Sequence, residues 1–331
     1  MCTAIWTGEG YPLFGRTLDI ECSYGETVIV TPRTFPIRFL HERGAWEHPA
    51  MIGVGCVQNG TPLYYDAINE HGLAMAGLNF AMSAIYHPKR IGTYNVASFE
   101  LIWWVLCQCK TVGEAESLLK KTNLVADSFS PALPATPLHW MIADCERSIV
   151  VESVDTGVKI YENHFGVLTN EPPFPYQAMH LCDYLHLNPQ TPQNTLCPVA
   201  ELRAYSNGLG AMGLPGDFSS ASRFVRAVFL NRHTARETNC DHAINRFFHL
   251  TEHLAVPKGC VLTERGAMQT LYTSCADLQN LRYYTESYQT RLRRSVSLSS
   301  LDLQSDTLRL FDIGLATEKS EKSLHQIGKS Y

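Results

Sequence analysis

The sequence opens with Met1-Cys2-Thr3-Ala4-Ile5-Trp6, and a second apolar run, Leu13-Phe14-Gly15-Arg16-Thr17-Leu18-Asp19, follows shortly after it. Gly8, Gly10 and Pro12 lie between the two runs. Short apolar runs separated by glycine and proline are typical of two antiparallel strands joined by a turn. Such a unit brings Arg16 and Asp19 back toward Cys2, so the opening residues predict a site on the first two strands.

Cys2 directly follows Met1, and its side chain is small enough for the initiator methionine to be removed. An α-amine titrates near ~7.7–8.0 and a thiol near ~8.5, so at neutral pH some neutral amine is available to accept the thiol proton. One residue then supplies both nucleophile and base. We therefore expect Cys2 to be the nucleophile, Asp19 to fix its amine, and Arg16 to stabilise the thiolate or a tetrahedral oxyanion.

The composition excludes several classes of protein. The chain has 331 residues, of which 45% are hydrophobic and 18% charged, and a formal net charge of −5. This balance is ordinary for a folded protein and gives no basic surface for nucleic acid or an anionic membrane. The longest apolar run, Leu101 to Cys107, is far shorter than the ~18 residues of a membrane span. The N-terminus lacks the features of a signal peptide. We expect a cytoplasmic protein whose partner is a small molecule.

Eleven cysteines are present, and no two have Cys-x-x-Cys spacing. In a cytoplasmic chain most should be reduced and buried, which leaves Cys2 as the only expected catalytic thiol. His249 and His253 have the spacing of a metal-binding helix, but no glutamate lies inside the motif and no third ligand is evident. We expect neither a metal nor a cofactor.

Gly208-Leu209-Gly210-Ala211-Met212-Gly213 satisfies the Gly-x-Gly-x-x-Gly pattern of dinucleotide-binding proteins. No strand is predicted before it, and Leu214-Pro215-Gly216 follows where the phosphate-binding helix should begin. A glycine-rich surface loop is therefore favoured. A nicotinamide-dependent oxidoreductase stays open as an alternative that dinucleotide titration would test.

Strand patterns dominate the first half of the chain. Thr27 to Thr31 is a β-branched run, and Ser148 to Val154 with Val158 to Tyr161 predicts a hairpin. Val112 to Leu124 has helical periodicity, with Thr111 as N-cap and Glu114 three residues later. Further helices are predicted around 222–231 and 242–254, and strands at 260–263, 268–274 and 281–285.

Strands, then helices, then strands again, without a βαβ rhythm, indicate an α+β fold with antiparallel sheets. No Pro/Gly/Ser-rich linker divides the chain, so we expect a single domain over residues 1–331. The C-terminal segment after Arg291 is rich in Ser, Lys and Glu and is predicted to be the least structured part.

Four collinear blocks resemble the choloylglycine hydrolase family, which contains conjugated bile salt hydrolases and penicillin V acylases. They are the opening residues, Asn69 to Phe80, Val167 to Phe174, and Gly208 to Arg226. The resemblance covers about residues 1–290 and weakens after about residue 291. It implies an N-terminal-nucleophile (Ntn) amidohydrolase with a four-layer αββα sandwich, and Cys2 at the end of a central strand. It also implies a homotetramer that needs no cofactor.

The resemblance implies six catalytic residues. Cys2 would be nucleophile and base, Asn79 and Asn170 would surround the oxyanion and scissile amide, and Arg223 would close the cluster. The full set is Cys2, Arg16, Asp19, Asn79, Asn170 and Arg223. Taken alone, each asparagine also fits a turn cap, and Arg223 fits a surface ion pair.

Asn79 favours a bile salt hydrolase, since penicillin V acylases of the family commonly carry Tyr at that position. Ala81-Met82-Ser83 departs from the family's usual Pro-Gly-Asn at the substrate mouth, which leaves the substrate preference open. Four apolar residues are candidates for the steroid face or, equally, for the core: Leu18, Phe129, Leu133 and Leu138. Two alternatives remain, a penicillin V acylase or other N-acyl amidase, and a catalytically silent binding protein on the same scaffold.

Overall fold

The structure is a computed structural model that describes residues 1–43 and 47–315. The end of the predicted domain, from residue 316 onward, lies outside the described residues. In chain order the strands are β1 (Cys2–Trp6), β2 (Leu13–Ile20), β3 (Thr27–Thr31), β4 (Met51–Gln58), β5 (Thr61–Asn69), β6 (Ala74–Asn79), β7 (Tyr94–Ala97), β8 (Thr122–Val125), β9 (Leu138–Ala143), β10 (Ser148–Val154), β11 (Gly157–Glu162), β12 (Val167–Leu168), β13 (Leu262–Thr263), β14 (Gly266–Ala267), β15 (Gln269–Asp277), β16 (Arg282–Ser287), β17 (Arg293–Ser297) and β18 (Arg309–Phe311).

The helices fall in two groups along the chain. The α-helices are α1 (Leu101–Leu106), α2 (Val112–Leu119), α3 (Phe174–His180), α4 (Ser220–His233) and α5 (Cys240–Glu252). Short 3-10 helices cover Ser98–Glu100, Leu181–Tyr184, Leu209–Ala211 and Leu298–Ser300. No helix within the described ranges is long and apolar enough to cross a membrane.

One sheet has six antiparallel strands in the order β12-β1-β2-β15-β16-β17. The predicted strand–turn–strand unit is confirmed as the β1–β2 pair, in which Cys2 lies opposite Leu18 and Ala4 opposite Arg16. Because side chains alternate along a strand, Cys2, Arg16 and Leu18 share one face of this sheet, while Thr17 and Asp19 share the other.

The second sheet has eight strands in the order β11-β10-β9-β6-β5-β4-β3-β18. Both the Thr27–Thr31 strand and the hairpin of β10 and β11 are confirmed. The two faces of this sheet bury different clusters. Along β9, Met141 and Ala143 join the core between the sheets, whereas Trp140 and Ile142 pack with α1 and α2. Such alternation of buried side chains shows that this sheet is covered on both faces.

Helices complete the outer layers. Helices α4 and α5 contact β1, β2 and β15 of the six-stranded sheet, and α1 contacts β5 and β6 of the eight-stranded sheet. The core between the sheets includes Phe14, Leu78 and Tyr272. On the other face of the six-stranded sheet Ile5 lies opposite Gly15, and Phe247 from α5 lies next to Gly15. The layers are therefore helix, six-stranded sheet, eight-stranded sheet and helix, which confirms the α+β class and the αββα sandwich.

Two local predictions need correction. The helix predicted to run to Leu124 ends at Leu119, because residues 122–125 instead pair in parallel with β7; its N-cap is confirmed, since Thr111 Oγ1 accepts from Glu114 N at 3.2 Å. The strand predicted from Cys260 shrinks to β13.

The C-terminal segment is more ordered than its composition indicates. Strand β17 forms the edge of the six-stranded sheet, and β18 forms the edge of the eight-stranded sheet. The prediction of little structure after Arg291 is therefore wrong for residues 293–300 and 309–311. Edge strands expose one side to solvent and tolerate a polar sequence, which explains why composition missed them.

Candidate active site

Arg16 joins the two sheets directly beneath the first strand. Its Nη1 donates to the main-chain oxygens of Gly77 at 2.5 Å and Tyr65 at 3.2 Å, both in the eight-stranded sheet. Its Nη2 donates to Sγ of Cys2 at 2.5 Å. The guanidinium is fully buried, so water does not screen its charge from the sulfur. The Arg16 guanidinium therefore places a buried positive charge directly against the sulfur of Cys2.

Burial by itself would lower the pKa of the Arg16 guanidinium. The acidic groups around it, Cys2, Tyr272, Asp66 and Asp19, act in the opposite direction and raise the pKa above its usual value. Arg16 is therefore a fixed positive charge in this part of the core.

Asp66 is a buried carboxylate that sequence reasoning missed. From β5 it reaches across to the six-stranded sheet, where it accepts from Tyr272 Oη and Ser274 Oγ, each at 2.8 Å, and from Tyr283 Oη. Burial raises the pKa of Asp66, and the nearby Arg16 partly opposes this shift. The sequence does contain a signal for this residue, because an aspartate interrupts the otherwise apolar run Leu63 to Ile68.

Asn170 and Arg223 meet Cys2 from the other side. The main-chain nitrogen of Cys2 donates to Oδ1 of Asn170 at 2.9 Å, and Arg223 Nη2 donates to the same oxygen at 2.7 Å. Arg223 Nη1 also donates to the Cys2 carbonyl at 2.5 Å and to Thr3 Oγ1 at 2.6 Å. Helix α4, capped by Ser219, delivers Arg223 from its first turn. Burial lowers the pKa of Arg223, which Asp19 and Cys2 partly oppose.

Asn79 ends β6 at the open side of the site. Its main-chain oxygen accepts from Asn170 Nδ2 at 2.8 Å, and its own Oδ1 accepts from Ala81 N at 3.2 Å. The side chain is exposed, and within residues 1–43 and 47–315 no hydrogen bond is made by its Nδ2. That donor is therefore available to a substrate oxygen.

Asp19 lies on the opposite face of β2 from the Cys2 side chain. Its Oδ1 accepts from Thr270 Oγ1 at 2.6 Å, and its main-chain oxygen accepts from the Met1 amine at 2.6 Å. In the described chain the partner of Cys2 N is Asn170. A role for Asp19 on the free amine stays a prediction.

Glu171, which directly follows Asn170, is hydrogen-bonded to the turn that follows Asn79. Its Oε1 accepts from the main-chain nitrogens of Met82 at 2.8 Å and Ser83 at 2.9 Å, and its Oε2 accepts from Ser83 Oγ at 2.7 Å. We call residues 81–83 the rim turn. The residues of this turn depart from the family pattern in the sequence, but no local pattern indicates that the Glu171 carboxylate holds them.

The four candidate substrate-lining residues have different surroundings. Leu18 is buried in the core between the sheets, which supports the core interpretation for this residue. Leu138 is half-buried and lies opposite Asn79 in the β6–β9 pair. Phe129 and Leu133 are half-buried in the loop before β9, where Phe129 packs edge-on against Phe99.

The remaining motifs do not form sites. Gly208 to Gly213 contains only a 3-10 turn, and α4 begins at Ser220, so the context of a dinucleotide loop is missing. His249 is exposed and pairs with Glu252 at 3.6 Å. In the described part of the chain, no three His, Cys, Asp or Glu residues are arranged to hold a metal. All eleven cysteines are free.

The sandwich, with Cys2 at the start of an internal strand, defines the class of Ntn folds. The conjugated bile acid hydrolase from Clostridium perfringens, solved as a mutant, superposes with a TM-score of 0.87 at 30% identity, covering 99% of this chain and 100% of that one. Penicillin V acylase from Agrobacterium tumefaciens shares the fold, with a TM-score of 0.74 at 21% identity, covering 94% of this chain and 90% of that one.

The sequence comparisons define the family. A bile salt hydrolase/transferase from Lactiplantibacillus plantarum is 43% identical over 96% of this chain and 98% of its own length. The family model for linear amide C–N hydrolases of the choloylglycine hydrolase family matches residues 2–311. The chain belongs to the choloylglycine hydrolase family and is an amidohydrolase acting on linear amides. The match to residue 311 includes β17 and β18, beyond the limit near residue 291 that the sequence resemblance suggested.

Proposed function

We propose that this chain hydrolyses the amide bond of glycine- or taurine-conjugated bile acids, with Cys2 as the nucleophile. The observation that carries the proposal is the convergence of Arg16 on Sγ and Asn170 on the nitrogen of Cys2. The similarity to relatives named bile salt hydrolase supports the choice of substrate. The exposed Asn79 amide at the mouth of the site supports it as well.

Removal of Met1 would convert the main-chain nitrogen of Cys2 into an α-amine that Asn170 already contacts. The amine accepts the thiol proton, and Arg16 stabilises the thiolate. Sγ then bonds to the carbonyl carbon of the substrate, and the negative charge moves to the carbonyl oxygen. Asn79, Asn170 and main-chain N–H groups hold this oxyanion, while Arg223 keeps Asn170 oriented.

Collapse of the tetrahedral intermediate breaks the C–N bond. The Cys2 ammonium gives its proton to the leaving nitrogen, so glycine or taurine departs and a thioester remains. Water then attacks the thioester carbon and gives a proton to the amine. The C–S bond breaks, which releases the bile acid and restores Cys2. No step requires a metal or cofactor.

A panel of glycocholate, taurocholate and penicillin V tests the proposal directly. We expect kcat/KM for a conjugated bile salt to exceed that for penicillin V. The reverse order would identify a penicillin V acylase, and turnover of other N-acyl amides alone would identify a different amidase. Binding without turnover by a chain that has lost Met1 would indicate a silent binding protein.

A homotetramer is the assembly that we propose. Several large apolar side chains on and between α3 and α4 are exposed, and such surfaces are often covered by a partner. They are Tyr176, Met179, Leu185, Leu196, Val199, Leu202, Tyr205 and Met212. The mass in solution from light scattering tests this assignment.

A cytoplasmic location agrees with the eleven free cysteines, and cell fractionation tests it.

A further inference from the structure

His139 and Glu152 form a buried pair that the proposed mechanism does not use. Both side chains are fully buried, with His139 on β9 and Glu152 on β10. Nδ1 of His139 lies 3.2 Å from Oε1 of Glu152, and Nε2 lies 2.9 Å from the main-chain oxygen of Thr169. Burying an ionisable pair costs free energy unless its hydrogen bonds compensate. This cost makes the pair a candidate for a functional role.

His139 contacts the neighbours of both asparagines. Thr169, which accepts from Nε2, immediately precedes Asn170. The ring of Phe80, which immediately follows Asn79, stacks on the imidazole with centroids 4.3 Å apart and planes at 5°. In addition, Leu78 lies opposite His139 in the β6–β9 pair. One imidazole thus supports the two segments that carry Asn79 and Asn170.

Glu152 holds the far end of the same loop. Its Oε1 accepts from the main-chain nitrogen of Phe174 at 2.9 Å, four residues beyond Asn170. Within the described ranges its Oε2 finds no hydrogen-bond partner, although this oxygen is buried. The loop from Thr169 to Phe174 is therefore attached to the pair at both ends.

The hydrogen bonds also determine how many protons the pair holds. A carbonyl oxygen only accepts, so Nε2 of His139 carries a hydrogen toward Thr169. The contact between Nδ1 and Oε1 then needs a second proton, carried either by Nδ1 or by the Glu152 carboxyl. In both forms the pair is neutral overall, which suits a dry position between the sheets.

We propose that His139, held by Glu152, is a positioning residue that sets the spacing between Asn79 and Asn170 around the scissile amide. This rests on the proposed function, since it gives those asparagines their role. His139 touches neither Cys2 nor Arg16 in the described contacts. A change in the pair should therefore affect transition-state stabilisation and leave the reactivity of the thiol intact.

Two variants test this proposal. Glu152→Gln keeps the volume of the side chain, but its amide cannot accept from Phe174 N and also pair with a neutral His139. His139→Phe keeps a ring for Phe80 and loses both hydrogen bonds. His48→Phe is the matched control, because His48 is also buried, lies within 2.9 Å of two main-chain oxygens, and packs edge-on against Trp103 away from the site.

The kinetic measurement is kcat and KM, normalised to the fraction of Cys2 that iodoacetamide alkylates, as read on the N-terminal peptide by mass spectrometry. We expect kcat to fall about tenfold in Glu152→Gln and about 100-fold in His139→Phe, with KM changing less than about threefold. The alkylation rate of Cys2 should stay within about twofold of wild type. The control should keep its kcat.

Normalised kcat values equal to wild type in both folded variants would overturn the proposal, as would an equal loss in His48→Phe.

Hydrogen exchange gives a readout that needs no substrate. Peptides covering residues 79–84 and 169–174 should exchange at least about tenfold faster in Glu152→Gln but not in the control. Unchanged exchange there would contradict the proposal. If wild type hydrolyses none of the three test substrates, the proposed function fails, and the exchange result still decides this inference.

Discussion

The main-chain nitrogen of Cys2 and Oδ1 of Asn170 are 2.9 Å apart, although 168 residues separate them in sequence. Since that oxygen also accepts from Arg223, its position is fixed before any free amine exists. The amine formed by loss of Met1 would therefore find its hydrogen-bond acceptor already in place.

Active protein should begin at Cys2. Its intact mass is expected to be lower by one methionine than the mass of the full sequence, because an acylated nitrogen cannot accept the thiol proton. Full activity in a preparation that retains Met1 would disprove the use of the amine as the base.

Cys2→Ser should lower turnover by about two to three orders of magnitude, ~3–4 kcal/mol of activation free energy, and leave the fold intact. A hydroxyl is a much weaker acid than a thiol, so the amine deprotonates it poorly. Bile salt turnover and the melting temperature are the measurements. Near-normal activity would refute the thiolate mechanism.

Cys56→Ala and Cys275→Ala are the controls for this prediction. Both cysteines are buried, and burial raises the pKa of each thiol, so neither is a nucleophile at neutral pH. We expect each variant to lose some stability and to keep kcat. Loss of chemistry in either one with an intact fold would contradict the assignment of a single catalytic thiol.

Asn79→Tyr should shift selectivity from bile salts toward penicillin V. Tyr removes the free Nδ2 donor and fills its space with an aromatic face suited to a phenoxyacetyl group. A substrate oxygen that becomes buried on binding and loses this donor costs ~1–3 kcal/mol, which is roughly 5- to 150-fold in rate. The test is kcat/KM for glycocholate and penicillin V in both proteins. A ratio that changes by less than about twofold would show that the rim turn or another element selects the substrate.

Glu171→Ala should loosen the rim turn and raise KM for conjugated bile salts more than it lowers kcat. The variant removes all three hydrogen bonds that hold Met82 and Ser83. Ser83→Ala removes one of them and should have a smaller effect. Glu201→Ala is a control, because Glu201 is exposed and, among the described residues, its side chain pairs with Arg203 at 3.4 Å. Equal KM values in Glu171→Ala and the control would refute a role for this contact.

Asp217 should make the start of α4 sensitive to acid. Hydrogen bonds from Ser219 and Ser222 lower the pKa of Asp217 to about 2. Because this value lies below the ordinary pKa of an aspartate, about 4, the contribution to stability is present above pH ~4 and is lost as pH falls toward 2. The difference in melting temperature between wild type and Asp217→Asn should therefore be largest near neutral pH and shrink below pH ~4. A difference that is constant with pH would contradict this assignment.

Local patterns predicted the parts of the fold that depend on local interactions. The β1–β2 pair and the Thr111 cap follow from residues a few positions apart, and both are confirmed. The C-terminal end of α2 could not be predicted from local sequence, because pairing of residues 122–125 with β7 overrides their helical periodicity. Such long-range competition is invisible in a window of sequence.

The site residues likewise fall into those that local sequence predicts and those that it does not. The β1–β2 turn explains why Arg16 reaches Cys2, but no spacing places Asn170 and Arg223 there, and only the family resemblance indicated them. Asp66, His139 and Glu152 were missed because a single polar residue in a strand carries little signal. Their importance becomes visible only when the two sheets face each other.

The edge strands β17 and β18 also set an order of events during synthesis. Both are made after every other strand of their sheets, so the six-stranded sheet lacks its last strand until residue 297 has been made, and the eight-stranded sheet until residue 311. In the finished fold the Met1 amine is held by the Asp19 carbonyl, and Cys2 is buried. In the finished fold an aminopeptidase must break this hydrogen bond at a half-buried Met1, whereas in the growing chain the N-terminus is free of it. Synthesis of the last strands therefore marks the end of the period in which Met1 is most accessible.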